Sequence, residues 1–281
     1  MLDIFKYTIP LDDWIALAVE WLVGNFRPQF QAIKVPIELM LNAIDDLLLW
    51  LPEEIVLLAF LVIGWKTAGW KVGIFSIVSM AFIGFTGLWD ETMTTLAMVI
   101  SAVVVDVLIG VPLGILSSRS NRFEAILRPV LDAMQTTPAF VYLVPVVMLF
   151  SIGTVAGVIA TIIFSMPPII RLTNLGIRQV HPELIEATYA FGATKRQVLW
   201  KVQIPLALTT IMAGLNQTIM LSLSMVVIAS LIGAGGLGVP VFEGLNSLQV
   251  GLAGIGGLGI VLMAMVLDRI TQALGTSKED Q

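Results

Sequence analysis

The polar residues with the most distinctive spacing lie between Glu186 and Pro205 and read EATYAFGATKRQVLWKVQIP. Covalent chemistry is not indicated here or elsewhere, because the chain has no cysteine and a single histidine, His181. Thiolate nucleophiles, disulfides and His-rich metal sites are thereby excluded. Paired intramembrane carboxylates, an HExxH motif and serine–lysine or serine–histidine arrangements are also absent. We therefore predict that the chain is not an enzyme, with no catalytic, metal or cofactor-binding residue, and that this stretch makes protein contacts.

Local signals predict two short helices in this stretch. Pro182 suits the first turn of a helix, and Gly192 can adopt the positive φ that ends it. Thr194 and Gln197 have the spacing of a capping box that starts a second helix, which Pro205 separates from the next membrane span. A helix, a glycine elbow and another helix make a rigid knob whose apolar and small residues suit a groove on another protein. The alternative is an ordinary long loop that happens to contain helices.

The composition places most of the chain in lipid. Hydrophobic residues make up 57% and charged residues 12%, and the mean hydropathy is +0.95. Apolar runs of about 20 residues recur, which predicts one helical membrane domain rather than a β-barrel. The predicted spans are 28–51, 53–67, 70–89, 94–117, 128–151, 153–173, 203–233 and 249–270.

Two features of the first third are less regular. Residues 11–25 place apolar residues and tryptophans on one face, which predicts an amphipathic helix lying along the membrane. Residues 28–51 are apolar but carry four charges, so they could be a marginal span or a second surface helix; we favour a span. No signal peptide is predicted at the start of the chain.

Basic residues orient the chain. With eight spans and the N-terminus inside, all 15 Lys and Arg residues fall on the cytoplasmic side. If 28–51 does not span, only Lys6, Arg27 and Lys34 change sides, and the loop from Arg178 to Lys201 stays cytoplasmic. The net charge of −5 and the lack of a basic block argue against a nucleic-acid partner.

Polar residues within the predicted spans are candidates for a polar pathway or gate across the membrane. Asp106 falls near the middle of a span, where a carboxylate is costly; the alternative is a paired or neutral carboxylate that holds the bundle together. The other candidates cluster beside Pro138 or run down the next-to-last span, and helix packing explains such residues equally well. They are Gln135, Thr136, Thr137, Asn216, Gln217, Ser222 and Ser224.

The loop also carries a family pattern. Glu186-Ala187-Thr188, three residues, Gly192, nine residues and then Val202-x-Ile204-Pro205 resembles the EAA loop of ABC-importer permeases. Similarity to the glycine betaine/proline-betaine permease family extends over four segments: LDAMQTTPAFVYLVPVVMLFSIG (131–153), IIFSMPPIIRLTNLGIRQV (162–180), LIEATYAFGA (184–193) and NQTIMLSLSMVVIASLIGAGGLG (216–238). It covers about residues 90–272 and is weaker in the N-terminal third.

The resemblance implies an all-α membrane protein of the type I ABC importer class, with a five-helix core and a cytoplasmic coupling helix. An N-terminal amphipathic helix and about three extra membrane helices would precede that core. The implied units are an interfacial segment (1–27), scaffold membrane helices (28–89), a permease core (90–272) with a coupling loop (178–205), and a cytoplasmic tail (273–281). The residues that would contact the ATPase are Glu186, Ala187, Thr188, Gly192, Ala193 and Pro205.

The implied assembly is a homodimer in the cytoplasmic (inner) membrane, with two ATPase subunits and an external substrate-binding protein. The chain has no G-x-x-x-x-G-K-[ST] phosphate loop, so ATP and Mg²⁺ are expected on the ATPase. The expected function is ATP-driven import of a quaternary-ammonium osmoprotectant by alternating access. The alternatives are a permease for another small solute, such as an alkyl sulfonate, an amino acid or choline, and an intramembrane enzyme.

Overall fold

The structure, a computed structural model, describes residues 10–275; Lys6 and Lys278, which entered the orientation argument, lie outside this range. Its membrane helices are connected by short turns. In order the helices are α1 (Leu11–Trp50), α2 (Glu53–Ala68), α3 (Trp70–Phe85), α4 (Trp89–Arg119), α5 (Asn121–Thr136), α6 (Leu143–Phe150), α7 (Thr154–Arg178), α8 (Pro182–Ala190), α9 (Lys195–Val198), α10 (Ile204–Ala229), α11 (Gly238–Asn246) and α12 (Val250–Gly275).

Between residues 10 and 275, four helical segments are long and apolar enough to cross a membrane unaided. They are α4, α7, the continuous segment Lys195–Ile232 and α12. Two further candidates qualify only as bent pairs, α1 with α2 at 105° and α5 with α6 at 106°. The prediction of eight separate spans is therefore wrong in detail, because 28–51 is not a separate helix and 128–151 is broken near its middle.

The core is built around α7, which packs between α4 and α10. In the apolar part of α7 72% of the residues are buried, against 22% in the apolar part of α12, so α7 is the central helix. Pro167 and Pro168 lie inside α7 without ending it. Helices α2 and α3 pair as a hairpin at Gly69 and pack against α12 on the outside of this core.

Glycines let α4 approach α7 closely, as the spacing of Gly110 and Gly114 predicts. A Cβ at Gly114 would lie 2.6 Å from Thr173 Cβ and 2.8 Å from the Ile170 carbonyl oxygen. The glycines of α12 differ among themselves: Gly256 packs against α11, whereas Gly257 has open space around its Cα.

This difference supplies a test of the packing. Gly114→Val is expected to lower the free energy of unfolding by about 1–3 kcal/mol, because the added methyl groups would overpack a tight helix seam. Gly257→Val is the matched control, since the same side chain would meet nothing at a second membrane glycine. Thermal melting of the two purified variants in detergent measures the difference, and equal melting temperatures would contradict the packing argument.

The helices define two ends of the bundle. The end at which α4 and α7 finish, with Arg119 and Arg178, is called the basic end. The opposite end is where α4 and α7 begin and α6 finishes. By the positive-inside rule the basic end faces the cytoplasm.

Helix α1 crosses the opposite end instead of descending through the bundle. The Phe30 ring contacts Phe150 at the end of α6, and Gln31 Nε2 donates to the Leu149 carbonyl oxygen. Farther along α1, Asp45 lines a cavity with Thr94. All these contacts lie at the opposite end, so Arg27 and Lys34 are on the side away from the other basic residues, as considered above for a non-spanning 28–51. The predicted boundary between 1–27 and 28–89 falls inside a single helix, because α1 runs from Leu11 to Trp50.

Candidate functional site

Residues 181–205 form the predicted knob at the basic end. Pro182 occupies the first turn of α8, which ends at Ala190, and Gly192 has φ +81°. Both the helix start and the glycine elbow are predicted from the sequence. Glycine stands at the elbow because a residue with a Cβ atom is strained at this positive φ. His181 is exposed and makes no side-chain capping bond to α8.

The second helix of the knob is the beginning of the membrane span. Thr194 and Gln197 form the predicted capping box, with the Thr194 N–H donating to Gln197 Oε1 at 2.8 Å. Helix α9 then continues through a wide π-turn (Leu199–Gln203) directly into α10. Pro205 lacks an N–H and its ring crowds the carbonyl four residues earlier, which accounts for the wide turn just before it. The prediction that Pro205 separates two helices is wrong, because the helix is continuous from Lys195 through Pro205.

An open apolar groove of about 530 Å³ lies between α8 and the start of α10. The Phe191 side chain is 92% exposed at its edge, although it is large and apolar. Glu186 is exposed on α8, and none of the described basic residues forms an ion pair with it. A groove, an exposed aromatic ring and an unpaired carboxylate are features of a surface that receives a partner. The groove is lined by Leu184, Ala187, Thr188, Phe191, Ala193, Lys201, Val202, Pro205 and Leu206.

The knob sits against the point where α7 and α10 are closest at the basic end. A Cβ at Gly176 would lie 3.0 Å from Thr210 Cβ and 3.2 Å from Ala207 Cβ. Leu184 of α8 and Leu206 of α10 line a small cavity beside this crossing. Helix α8 therefore lies beside both long helices near their ends.

Two ion pairs that sequence reasoning missed attach α5 to α7. Arg178, the last residue of α7, pairs with Glu124 at 2.9 Å and donates to the Ser117 carbonyl oxygen at 2.9 Å. Two turns deeper, Arg171 pairs with Asp132. The partners are far apart in sequence, so only their opposite charges could have suggested them. Because α8 follows Arg178 after a short turn, α5 is joined to the base of the knob.

The candidates Gln135, Thr136 and Thr137 lie where the α5–α6 span breaks. Thr136 Oγ1 donates to the Asp132 carbonyl oxygen at 2.9 Å and Thr137 Oγ1 to the Ala133 carbonyl oxygen at 2.7 Å. Gln135 and Thr136 are exposed. The structure thus places these polar groups at an open break, and each threonine hydroxyl is engaged by its own helix.

The candidates on α10 separate into two groups. Asn216 is taken up by α12, donating to Asp268 Oδ1 at 2.8 Å and accepting from Thr271 Oγ1 at 2.6 Å. Ser222 is buried and donates to the carbonyl of its own preceding turn. Gln217 and Ser224 lie on the exposed face of α10. Only these last two of the α10 candidates are placed where a solute could meet them.

Asp106 is fully buried between α4 and α7 and does not line an open surface. The Ser165 hydroxyl donates to Asp106 Oδ2 at 2.6 Å and also lies 2.7 Å from the Thr161 carbonyl oxygen. Asp106 Oδ1 is buried and has no hydrogen-bond partner among the described residues. The carboxyl group is thus held against α7 by one serine and faces no open surface, which favours the packing alternative.

The packing role predicts that Asp106→Asn keeps transport within about twofold of the wild type, because the amide Oδ1 can accept from Ser165 in the same way. Ser165→Ala removes the donor and leaves a buried carboxyl group without a partner, so the free energy of unfolding should fall by about 1–3 kcal/mol. Solute uptake by Asp106→Asn and thermal melting of Ser165→Ala check the two statements. Loss of uptake in a stable Asp106→Asn variant would show instead that a charged carboxylate is required.

Residues 110–277 match the family of binding-protein-dependent transport system inner membrane components. The chain is 55% identical to the glycine betaine/proline betaine transport system permease protein ProW of Escherichia coli (strain K12), over 98% of this chain and 78% of that protein. It is 43% identical to the glycine betaine transport system permease protein OpuAB of Bacillus subtilis (strain 168), over 97% of both chains.

Among solved structures, an inward-facing MetNI methionine ABC transporter superposes on 70% of this chain and 98% of its own, with a TM-score of 0.59 and 23% identity. At that identity the likeness concerns the fold. It confirms the expected helical importer-permease architecture for the larger part of the chain.

Proposed function

Since this chain belongs to the family of binding-protein-dependent transport system inner membrane components, we propose that it is the permease subunit of an ATP-driven importer of glycine betaine and proline betaine. The assignment of the solutes rests on the 55% identity, over nearly the whole chain, to a permease named for them. The proposed mechanism rests on the open groove and the glycine elbow at the basic end.

The permease works as one half of a homodimer in the inner membrane. Residues 90–272 form the transport core, and the helices before them form a scaffold on its outside. Two ATPase subunits, which hold ATP and Mg²⁺, bind the knob at the basic end, and an external binding protein delivers the solute to the opposite end. Lipid surrounds the remaining faces.

The coupling step begins at α8. ATPase closure moves α8, and its position against Gly176 and Leu206 passes the movement to α7 and α10. The Arg178–Glu124 pair passes it to α5, whose far end is the break in the α5–α6 span. The break and the exposed face of α10 then open alternately to the two sides of the membrane. Access to the pathway changes by movement of rigid helices, without a chemical reaction on this chain.

Transport by the reconstituted complex tests the proposal. The permease, its ATPase and its binding protein are placed in vesicles, and ATP-dependent uptake of labelled glycine betaine and proline betaine is compared with that of an alkyl sulfonate, choline and an amino acid. Saturable uptake of the betaines is expected. Uptake of another solute with none of the betaines would overturn the cargo and retain the permease, which is the alternative within transport.

A further inference from the structure

The break in the α5–α6 span lies near the middle of the membrane. Tyr142, just after the break, stacks edge-on against Phe164 with ring centroids 6.3 Å apart. Phe164 is close to the midpoint of α7, the central span Thr154–Arg178. Discontinuous helices at this depth are a recurring way in which transporters bind solutes and ions.

Pro138 explains both the break and the unusual bonding around it. Proline has no N–H to offer the Met134 carbonyl four residues earlier, and the Tyr142 hydroxyl donates to that carbonyl instead. Thr137 supplies both its N–H and its hydroxyl to the Ala133 carbonyl. No donor among the described residues reaches the carbonyl oxygens of Gln135 and Thr136. The negative end of α5 is therefore open at mid-depth.

Helix α10 brings an exposed amide to the same depth. Gly214 packs on α7, where an added Cβ would lie 3.0 Å from Leu172 Cβ and 3.3 Å from Ile169 Cα. Since α10 runs away from the basic end while α7 runs towards it, Gln217, one turn beyond Gly214, is level with Ser165. Gln217 is exposed, and the turn that contains Phe140 contacts α10.

The groups exposed at the break can stabilise a cation. The Phe140 side chain is 60% exposed within the break, so its ring face is available. Free carbonyl oxygens and an aromatic face stabilise a positive charge without requiring an N–H donor. The nearest basic residue on the adjoining stretch of α7, Arg171, is held by Asp132 and does not compete.

We propose that Phe140 and the open carbonyl end of α5 bind the trimethylammonium head of the solute midway through the membrane. This inference rests on the proposed function and adds the group of the solute that the permease itself recognises. The binding protein selects the solute outside the membrane, and the break binds its trimethylammonium group while the solute crosses. Gln217 lies at the same level and can donate to the carboxylate at the other end of the solute.

Phe140→Leu tests the site. It keeps an apolar side chain but removes the ring, so the kcat/KM of glycine betaine uptake should fall about 2- to 30-fold, which corresponds to a cation–π contact of about 0.5–2 kcal/mol. Phe140→Trp keeps a ring face and should retain uptake. Phe82→Leu is the matched control, because it is the same change at a phenylalanine exposed on α3, away from the break, and it should leave uptake unchanged.

Basal ATPase activity of the assembled complex is measured in the same vesicles, so that uptake by each variant is compared per ATPase-competent complex. Uptake by Phe140→Leu equal to that of the wild type and Phe82→Leu would overturn the inference while leaving the proposed function intact. Equal loss in Phe140→Leu and Phe140→Trp would also overturn it, because shape and not the ring face would then be responsible. Absence of betaine uptake by the wild type would be the separate failure of the proposed function.

Discussion

Gly192→Pro is expected to reduce ATP-dependent uptake by at least about a hundredfold while the protein still inserts in the membrane. Gly192 has φ +81°, and proline fixes φ near −65°, so the elbow between α8 and α9 must change direction. The Gly192 N–H that donates to the Tyr189 carbonyl is lost as well. Because α9 continues into α10, a redirected elbow would displace α8 from the rod it drives. Uptake in vesicles, with membrane insertion measured in parallel, checks the expectation.

Gly69→Pro is the matched control for this variant. Gly69 has φ +91°, its N–H also donates to a preceding helical carbonyl, and, like Gly192, it has open space around its Cα. It joins α2 to α3 outside the knob, so a comparable strain there should lower stability and leave ATPase coupling in place. Equal uptake per inserted molecule in the two proline variants would contradict a coupling role for the elbow.

The features of the knob that the sequence predicts correctly depend on neighbouring residues alone. Pro182 at a helix start, Gly192 at an elbow and the Thr194–Gln197 capping box are each determined by backbone chemistry within a few positions. The same holds for α4, α7 and α12, which are long and apolar enough to cross a membrane. These signals need no contact with distant residues.

The parts that the sequence did not predict depend on contacts between distant residues. Pro28 and Pro36 favour a break in the first third, yet α1 runs through both. It lies across the end of the bundle with most of its residues exposed, where water can satisfy the carbonyls that the prolines leave free. Asn216 is a predicted pathway candidate, but its side chain is hydrogen-bonded to Asp268 and Thr271 of α12.

The broken span depends both on neighbouring residues and on contacts between distant residues. Pro138 predicts a disturbed helix beside Gln135, but the 106° bend and its depth follow from the contacts of Tyr142 and of the Arg171–Asp132 pair. Asp106 is similar: its position in a span is plain from the sequence, whereas its hydrogen-bond partner is a serine 59 residues away. The two proposed elements of function therefore differ in origin, because the knob is encoded by neighbouring residues and the break forms only in the packed bundle.

Glu186→Lys is expected to weaken assembly with the ATPase, and with it uptake, by at least about thirtyfold. Glu186 is exposed on α8 beside the open groove, and its carboxylate has no ion-pair partner among the described residues, so its charge is free for a basic group on the ATPase. Truncating one partner of a buried interfacial charge pair costs about 2–5 kcal/mol, and reversal adds repulsion. Co-purification of the ATPase with the permease measures the loss directly. Glu186→Gln, which removes the charge and keeps the shape, should lie between the wild type and Glu186→Lys.

Glu243→Lys is the matched control, because Glu243 is also exposed on a nine-residue helix but lies on α11, away from the knob. It should retain the ATPase fully. Equal retention in Glu186→Lys and Glu243→Lys would mean that the carboxylate faces solvent in the complex, and that the ATPase is held by the groove and Phe191 alone. Loss in Glu186→Gln as large as in Glu186→Lys would point instead to a hydrogen bond that only a carboxylate can accept, since reversal would then add nothing to removal.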